Sequence, residues 1–144
     1  MKYVVAAMVT GLASIAIPNI RTSMQRSDQK RTMADMRAIA TAWEARATDR
    51  NSYLVGRPGN VAYADLRRVL EPTYVKRLPQ YDGWGRAFVF STGADGGEYA
   101  VRSVGSDGKL DPHTAPGATT DFDCDIIYSN GTFVSYPEAS CQEP

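Results

Sequence analysis

The sequence is short of most things that a chemical active site needs. It has one histidine, His113, set between Pro112 and Pro116, and two cysteines, Cys124 and Cys141. No serine, cysteine or lysine has a partner at the spacing of a known nucleophile motif, so an enzyme is not expected. The glycine-rich stretch Gly93-Ala-Asp-Gly-Gly97 leads into a strand pattern rather than a helix, which excludes a phosphate cradle. The 16 basic and 16 acidic residues cancel, and no basic cluster is interleaved with aromatics, which argues against nucleic acid as a partner. Charge is missing altogether from Tyr3 to Ile17, and neither glycine nor proline occurs from residue 20 to 50.

The last two absences define the first fifty residues. With its flanks, the uncharged run reaches the roughly 17 to 20 residues that a helix needs to span or sit within a bilayer. Lys2 stands before it and Arg21, Arg26, Lys30 and Arg31 after it, so the flanks do not fix an orientation. A secretory signal peptide, with Met1-Lys2 as its basic start, is the competing reading. Against that reading, Met33, Met36, Ile39, Ala40, Trp43 and Ala47 recur at three- and four-residue steps among polar residues. One helix is therefore expected, apolar over 1–20 and amphipathic over 21–50, bent or loosened at Pro18. Its apolar stripe lasts too few heptads for a coiled coil, so it should pack on the chain's own globular part.

Residues 51–144 are expected to form that part, a head of roughly 94 residues. Trp84, Phe88, Phe90, Tyr99, Phe133 and Tyr136 are its candidate core. A loop over 51–60 leads to a short helix from Val61 to Leu70, stopped by Pro72, with Leu66, Val69 and Leu70 inward. Residues 86–92 and 98–104 alternate as strands about the Gly93–Gly97 turn, giving one hairpin. Asn130-Gly131 predicts a second, between 126–129 and 132–136, because Asn-Gly supplies the positive φ angles of a type I′ turn. Asn130-Gly-Thr132 is also a glycosylation sequon, but the turn accounts for it. Residues 21–50 carry seven basic and four acidic groups and 51–144 carry eight and twelve. That segregation suits either pairing between neighbouring copies or a solvated helix face.

Four stretches in order carry a family resemblance. Leu12-Ala-Ser-Ile-Ala-Ile-Pro-Asn-Ile20 resembles the end of the N-terminal helix of type IV pilins and of type II secretion pseudopilins. Tyr81-Asp-Gly-Trp-Gly-Arg-Ala-Phe88 is similar to the Asp-Pro-Trp-Gly-x-Pro-Tyr motif of major pseudopilins, with Gly83 in place of their proline. Glu98-Tyr-Ala-Val-Arg-Ser-Val-Gly-Ser-Asp-Gly108 is similar to their Tyr-x-x-x-Ser-x-Gly-x-Asp-Gly stretch, and Asp123-Cys-Asp-Ile126 resembles the acidic pair closing their calcium loop. The resemblance implies an α+β, type IV pilin-like fold: a long N-terminal helix packed on a small antiparallel sheet. It places the family's early glutamate at about Met1, so the processed glycine and methylated aromatic residue are expected from an in-frame extension upstream.

The connection 105–125 holds Asp107, Asp111, Asp121, Asp123 and Asp125 against Lys109. If 121–125 are extended, their three aspartates share one face. Carboxylates that close repel by about 1 kcal/mol per pair even at water's dielectric constant. A cation would resolve the conflict, and hard oxygen donors favour Ca²⁺ over Zn²⁺. An EF-hand is excluded, since counting from Asp121 puts Ile126 where glycine is needed and Thr132 where glutamate is needed. The resemblance implies Asp107 and Asp125 as ligands, Asp123 as an added candidate, and carbonyls near Val104 and Leu110. The alternative is a solvated turn whose aspartates cap the backbone. A Cys124–Cys141 disulfide, contributing about 3 kcal/mol, is open beside two free thiols.

The resemblance implies a structural subunit: the major pseudopilin of a type II secretion system, a single-pass inner-membrane protein with its head in the periplasm. Copies would leave lipid and bundle their apolar helices in a helical filament, where Gly11, Ala13 and Ser14 permit close approach and Pro18 adjusts the path. Minor pseudopilins, inner-membrane assembly proteins and, before assembly, membrane lipid are the other expected partners. The alternatives are an adhesive or motility type IV pilin, extracellular in that case, and a membrane-tethered binding module that does not polymerise.

Overall fold

The computed structural model describes residues 2–111, 116–119 and 121–137, with the backbone alone for 2–18, 118, 119 and 137. The first helix, α1 (Lys2–Arg50), is continuous through Pro18. Within it, the hydroxyls of Thr32, Thr41 and Thr48 donate to the carbonyls four residues back, so these helix-neutral residues leave no polar group idle. It stops at Asn51, whose φ of 56° is the left-handed conformation that closes helices and that asparagine tolerates.

The remaining elements are β1 (Gly59–Val61), α2 (Tyr63–Leu70), β2 (Val89–Thr92), β3 (Tyr99–Ser103), β4 (Gly117–Thr119), β5 (Ile126–Ser129) and β6 (Thr132–Pro137). Both expected hairpins form. β2 and β3 join through a turn in which Gly93 N–H donates to the Glu98 carbonyl and Gly97 N–H to Asp95 Oδ1. β5 and β6 join through Asn130 and Gly131, with φ angles of 49° and 89°. The α+β, pilin-like fold class stands: a long helix on a largely antiparallel sheet.

Three details differ from the sequence reading. Val61 ends a short edge strand and α2 begins at Tyr63, because the Val61 backbone pairs with Phe90. β4 arises inside the acidic connection, and it pairs in parallel with β6, so the sheet is antiparallel in all but that ladder. Residues 121–125 are not extended: Cys124 N–H donates to the Asp121 carbonyl at 3.3 Å and Asp123 N–H to Asp121 Oδ1 at 3.0 Å, making a turn that separates the three aspartates. The sheet order is β1-β2-β3-β5-β6-β4.

The core lies between α1 and this sheet. Met36, Ile39, Ala40 and Trp43 are buried against Leu66 and Leu70 of α2 and against Phe90, Tyr99, Val101 and Ile126 of the sheet. Trp43 meets Phe90 edge-on at 6.3 Å and Tyr99 at 5.1 Å, and its indole N–H donates to the Tyr53 carbonyl. The stripe from Met33 to Ala47 is thus spent on the chain's own head, as its spacing predicts. Phe88, Phe90 and Tyr99 are buried, and Trp84, Phe133 and Tyr136 pack against the core from its margin.

Among the described residues no helix is long and apolar enough to cross a membrane. The side chains of the uncharged run, including Ala13, Ser14 and Pro18, and the packing expected at Gly11, lie outside the description.

Candidate functional site

Two constellations lie at one end of the sheet. The first is the turn Asp82–Arg86, which pins the head to the stalk. Asp82 is buried, and its Oδ1 accepts from the backbone N–H groups of Trp84 at 3.0 Å and Arg86 at 2.9 Å. Its Oδ2 accepts from the Ser103 hydroxyl at 2.7 Å. One carboxylate therefore shapes the turn and ties it to the end of β3. The turn then meets α1 twice: Gly83 N–H donates to Thr32 Oγ1 at 2.8 Å, and the Trp84 indole N–H donates to Gln25 Oε1 at 2.6 Å.

Gly83 must be small for a reason of distance. A Cβ there would fall 2.1 Å from the Asp28 carbonyl oxygen, which is backbone and cannot swing aside. Sequence reasoning singled out Asp82-Gly-Trp-Gly85 as a motif but missed Thr32 and Gln25. The signal available was polar residues, Gln29 and Thr32, on the helix face that the apolar stripe continues.

The second constellation is the acidic connection, which starts directly after Ser103. Asp125 is fully buried. Its Oδ2 accepts from Asp111 N–H at 3.1 Å and lies 3.5 Å from Arg102 Nε, while its Oδ1 has no hydrogen-bond partner among the described residues. Burial pushes the Asp125 carboxyl above its ordinary pKa, opposed by the Asp111 amide and by Arg102, and reinforced by the negative charges of Asp111 and Asp107.

The other expected ligands sit differently. Asp107 Oδ1 accepts from Lys109 N–H at 2.9 Å, and the Asp123 carboxylate accepts from the Ser106 hydroxyl. Val104 is buried, and the Leu110 side chain is exposed. Gly105, with φ 71°, passes so close to the next segment that a Cβ would lie 2.8 Å from the carbonyl oxygens of Asp123 and Cys124. The fold thus brings Asp125, Asp111 and Asp107 within electrostatic reach and turns Asp123 toward Ser106. Among the described residues no three His, Cys, Asp or Glu side chains are gathered around a point that would hold a metal ion. What does fit a hard cation is the buried Asp125 Oδ1, which has no partner among the described residues. Cys124 is half-buried, whereas Cys141 and His113 lie outside the described residues.

On the stalk below the head, Ile20 and Met24 are 57% and 60% exposed. With Asn19, Ser23 and Ser27 they line a shallow groove.

Comparison with known proteins converges on one family. The family model of type II secretion system protein G matches residues 19–126, which takes in the exposed stalk, the Asp82 turn and the connection as far as Ile126. The chain is 29% identical to a type II secretion system core protein G from Aeromonas hydrophila, over 76% of this chain and 81% of that protein. It is 29% identical to that of Vibrio cholerae, over 76% and 79%, and 27% identical to that of Escherichia coli K12, over 74% and 78%. No solved structure matches the chain.

Proposed function

Since the chain belongs to the type II secretion system protein G family, we propose that it is the repeating structural subunit of that system's pseudopilus, anchored in the inner membrane before assembly with its head in the periplasm. The observation that carries this reading is the change of role along α1. From Met33 onward its apolar face is consumed by the head, whereas Ile20 and Met24 stand exposed beneath it, with nothing among the described residues to cover them. Burying such surface contributes roughly 25 cal/mol per Å² when the alternative is water. Identical copies, aligned along their helices, supply the covering surface, and the expected role is mechanical rather than catalytic. Minor pseudopilins and inner-membrane assembly proteins are the further partners. Deleting the gene should abolish export through the system, and electron microscopy of cells overproducing the chain should show filaments; export that persists, with no filaments formed, sinks the reading.

The acidic connection is proposed to take Ca²⁺. Asp125 Oδ1 supports this as a buried acceptor without a donor among the described residues, with Asp107 and Asp111 adding charge and the carbonyls near Val104 and Leu110 adding neutral oxygens. Asp123 accepts from Ser106 through one carboxylate oxygen, which leaves the other as a candidate ligand. The ion supplies positive charge that offsets the buried carboxylate and ties the connection to the end of the sheet. Calorimetric titration should show one Ca²⁺ site lost in Asp125→Asn. The Cys124–Cys141 bridge is likewise proposed, and a mass gain on reductive alkylation of the exported chain, absent without reductant, would test it.

A further inference from the structure

Charge in the head is sorted between two regions. From Arg57 to Arg77 stand five basic residues and two acidic ones. Both acids are engaged within α2 and its end, Asp65 with Arg68 at 3.6 Å and Glu71 with Arg67 at 3.0 Å. The connection 105–125 carries five carboxylates and one lysine.

The sheet holds these regions apart. Arg57 precedes β1, whose Gly59 pairs with Thr92, and Thr92 pairs with Tyr99 at the end where Tyr99 donates to Glu44. The connection instead leaves from Ser103, at the opposite end of β3, where Asp82 and the stalk meet.

Shape follows the same division. Beside β1 and α2 lies a groove of about 420 Å³, lined by Val55, Val61 and Val69, with Arg57, Asp65 and Arg68 at its edge. On the connection, Leu110 projects with 58% of its surface exposed, next to Asp111 and three residues from Asp107. One region is a hollow, part apolar and part polar, whose rim is net basic. The other is an apolar knob with acidic neighbours.

We propose that the connection of one copy seats Leu110 in the β1–α2 groove of a second copy, with Asp107 against Arg57 at the net-basic edge of that groove. The inference deepens the filament reading and rests on it. A knob and a hollow on different parts of one molecule make a heterologous contact, which leaves a free knob and a free hollow at every step and so propagates instead of closing as a dimer. Opposite charge at the rim sets orientation and rejects the like-charged alternatives. A divalent cation in the connection leaves it net negative, and coordination through the Leu110 carbonyl leaves the side chain free to dock.

The test places p-benzoyl-phenylalanine at position 110 of the chain expressed from its native locus, followed by irradiation of the filaments. Covalent dimers are expected, with adducts mapped by mass spectrometry to residues 55–69. Leu110→Asp and Arg68→Glu should each lower filament yield about tenfold or more with unchanged melting of the purified chain. Arg68→Lys, which keeps the charge at the rim, should leave yield near that of the native chain. Filaments whose adducts map elsewhere, or whose yield ignores Leu110→Asp and Arg68→Glu, overturn the docking and leave the filament reading intact. A native chain that forms no filaments overturns both.

Discussion

Gly83 donates its amide hydrogen to Thr32 Oγ1 across 2.8 Å, joining a turn of the head to the stalk fifty-one residues earlier. The contact is made at backbone level, since the Asp28 carbonyl occupies the space a side chain would need. Gly83→Ala should therefore destabilise the chain by about 1–3 kcal/mol, the usual cost of forcing an extra carbon into a packed contact. Urea denaturation would measure it, and an unchanged midpoint would show that the turn is free to move away from α1.

Asp82 predicts an ordering of substitutions. Asp82→Ala removes the acceptor for two backbone N–H groups and the Ser103 hydroxyl together, and should cost about 3 kcal/mol or more. Asp82→Asn keeps one oxygen for the two amides, and Ser103 can reverse its hydroxyl to accept, so the loss should be about 1 kcal/mol. Equal losses would mean that charge, not acceptor geometry, holds the turn.

Asp125 sets a pH dependence of definite sign. Its folded pKa is raised above the ordinary carboxylate value by burial, so the folded state binds this proton more tightly than the unfolded state. Without Ca²⁺, its contribution to stability is greatest below the unfolded pKa and is lost as pH rises through the folded pKa. Asp125→Asn should remove that slope and be neutral or stabilising at neutral pH in chelator, yet abolish any stabilisation by Ca²⁺. Thermal melts across pH 3–8, with chelator and with Ca²⁺, give both answers, with the range chosen to cover ordinary carboxylate titration.

Tyr99 predicts behaviour in alkali. Burial, followed by its hydrogen bond to Glu44 and that residue's charge, raises the phenol well above its usual value. The folded state holds this proton where the unfolded state releases it, so stability should fall once pH passes the ordinary tyrosine pKa of about 10. Ultraviolet titration should show one phenol ionising only with unfolding, and Tyr99→Phe should delete that step.

What was legible in the sequence was whatever repeats locally. The stripe from Met33 to Ala47 has the helical period, Val89 to Ser103 has the strand period around a glycine turn, and Asn130-Gly131 specifies its own backbone. β1 and β4 were not legible, because three residues cannot display an alternation and their pairing is decided by partners far along the chain. The same limit hid the ends of the Asp82 network. Its motif was visible, but Thr32 and Gln25 are ordinary polar residues on a helix until a turn more than fifty residues away meets them. The aspartates at 121, 123 and 125 misled through spacing: a side-chain cap on the Asp123 amide bends the segment, so alternation in sequence is not alternation in space.

The parallel β4–β6 ladder alters how the head responds to pulling. Because β6 is flanked by β5 on one side and β4 on the other, the last described strand is an interior plank and not a flap at the margin. Tension between stalk and C-terminal strand would have to slide that plank against two neighbours at once, and a cut in the connection before β4 would leave both fragments laced into one sheet.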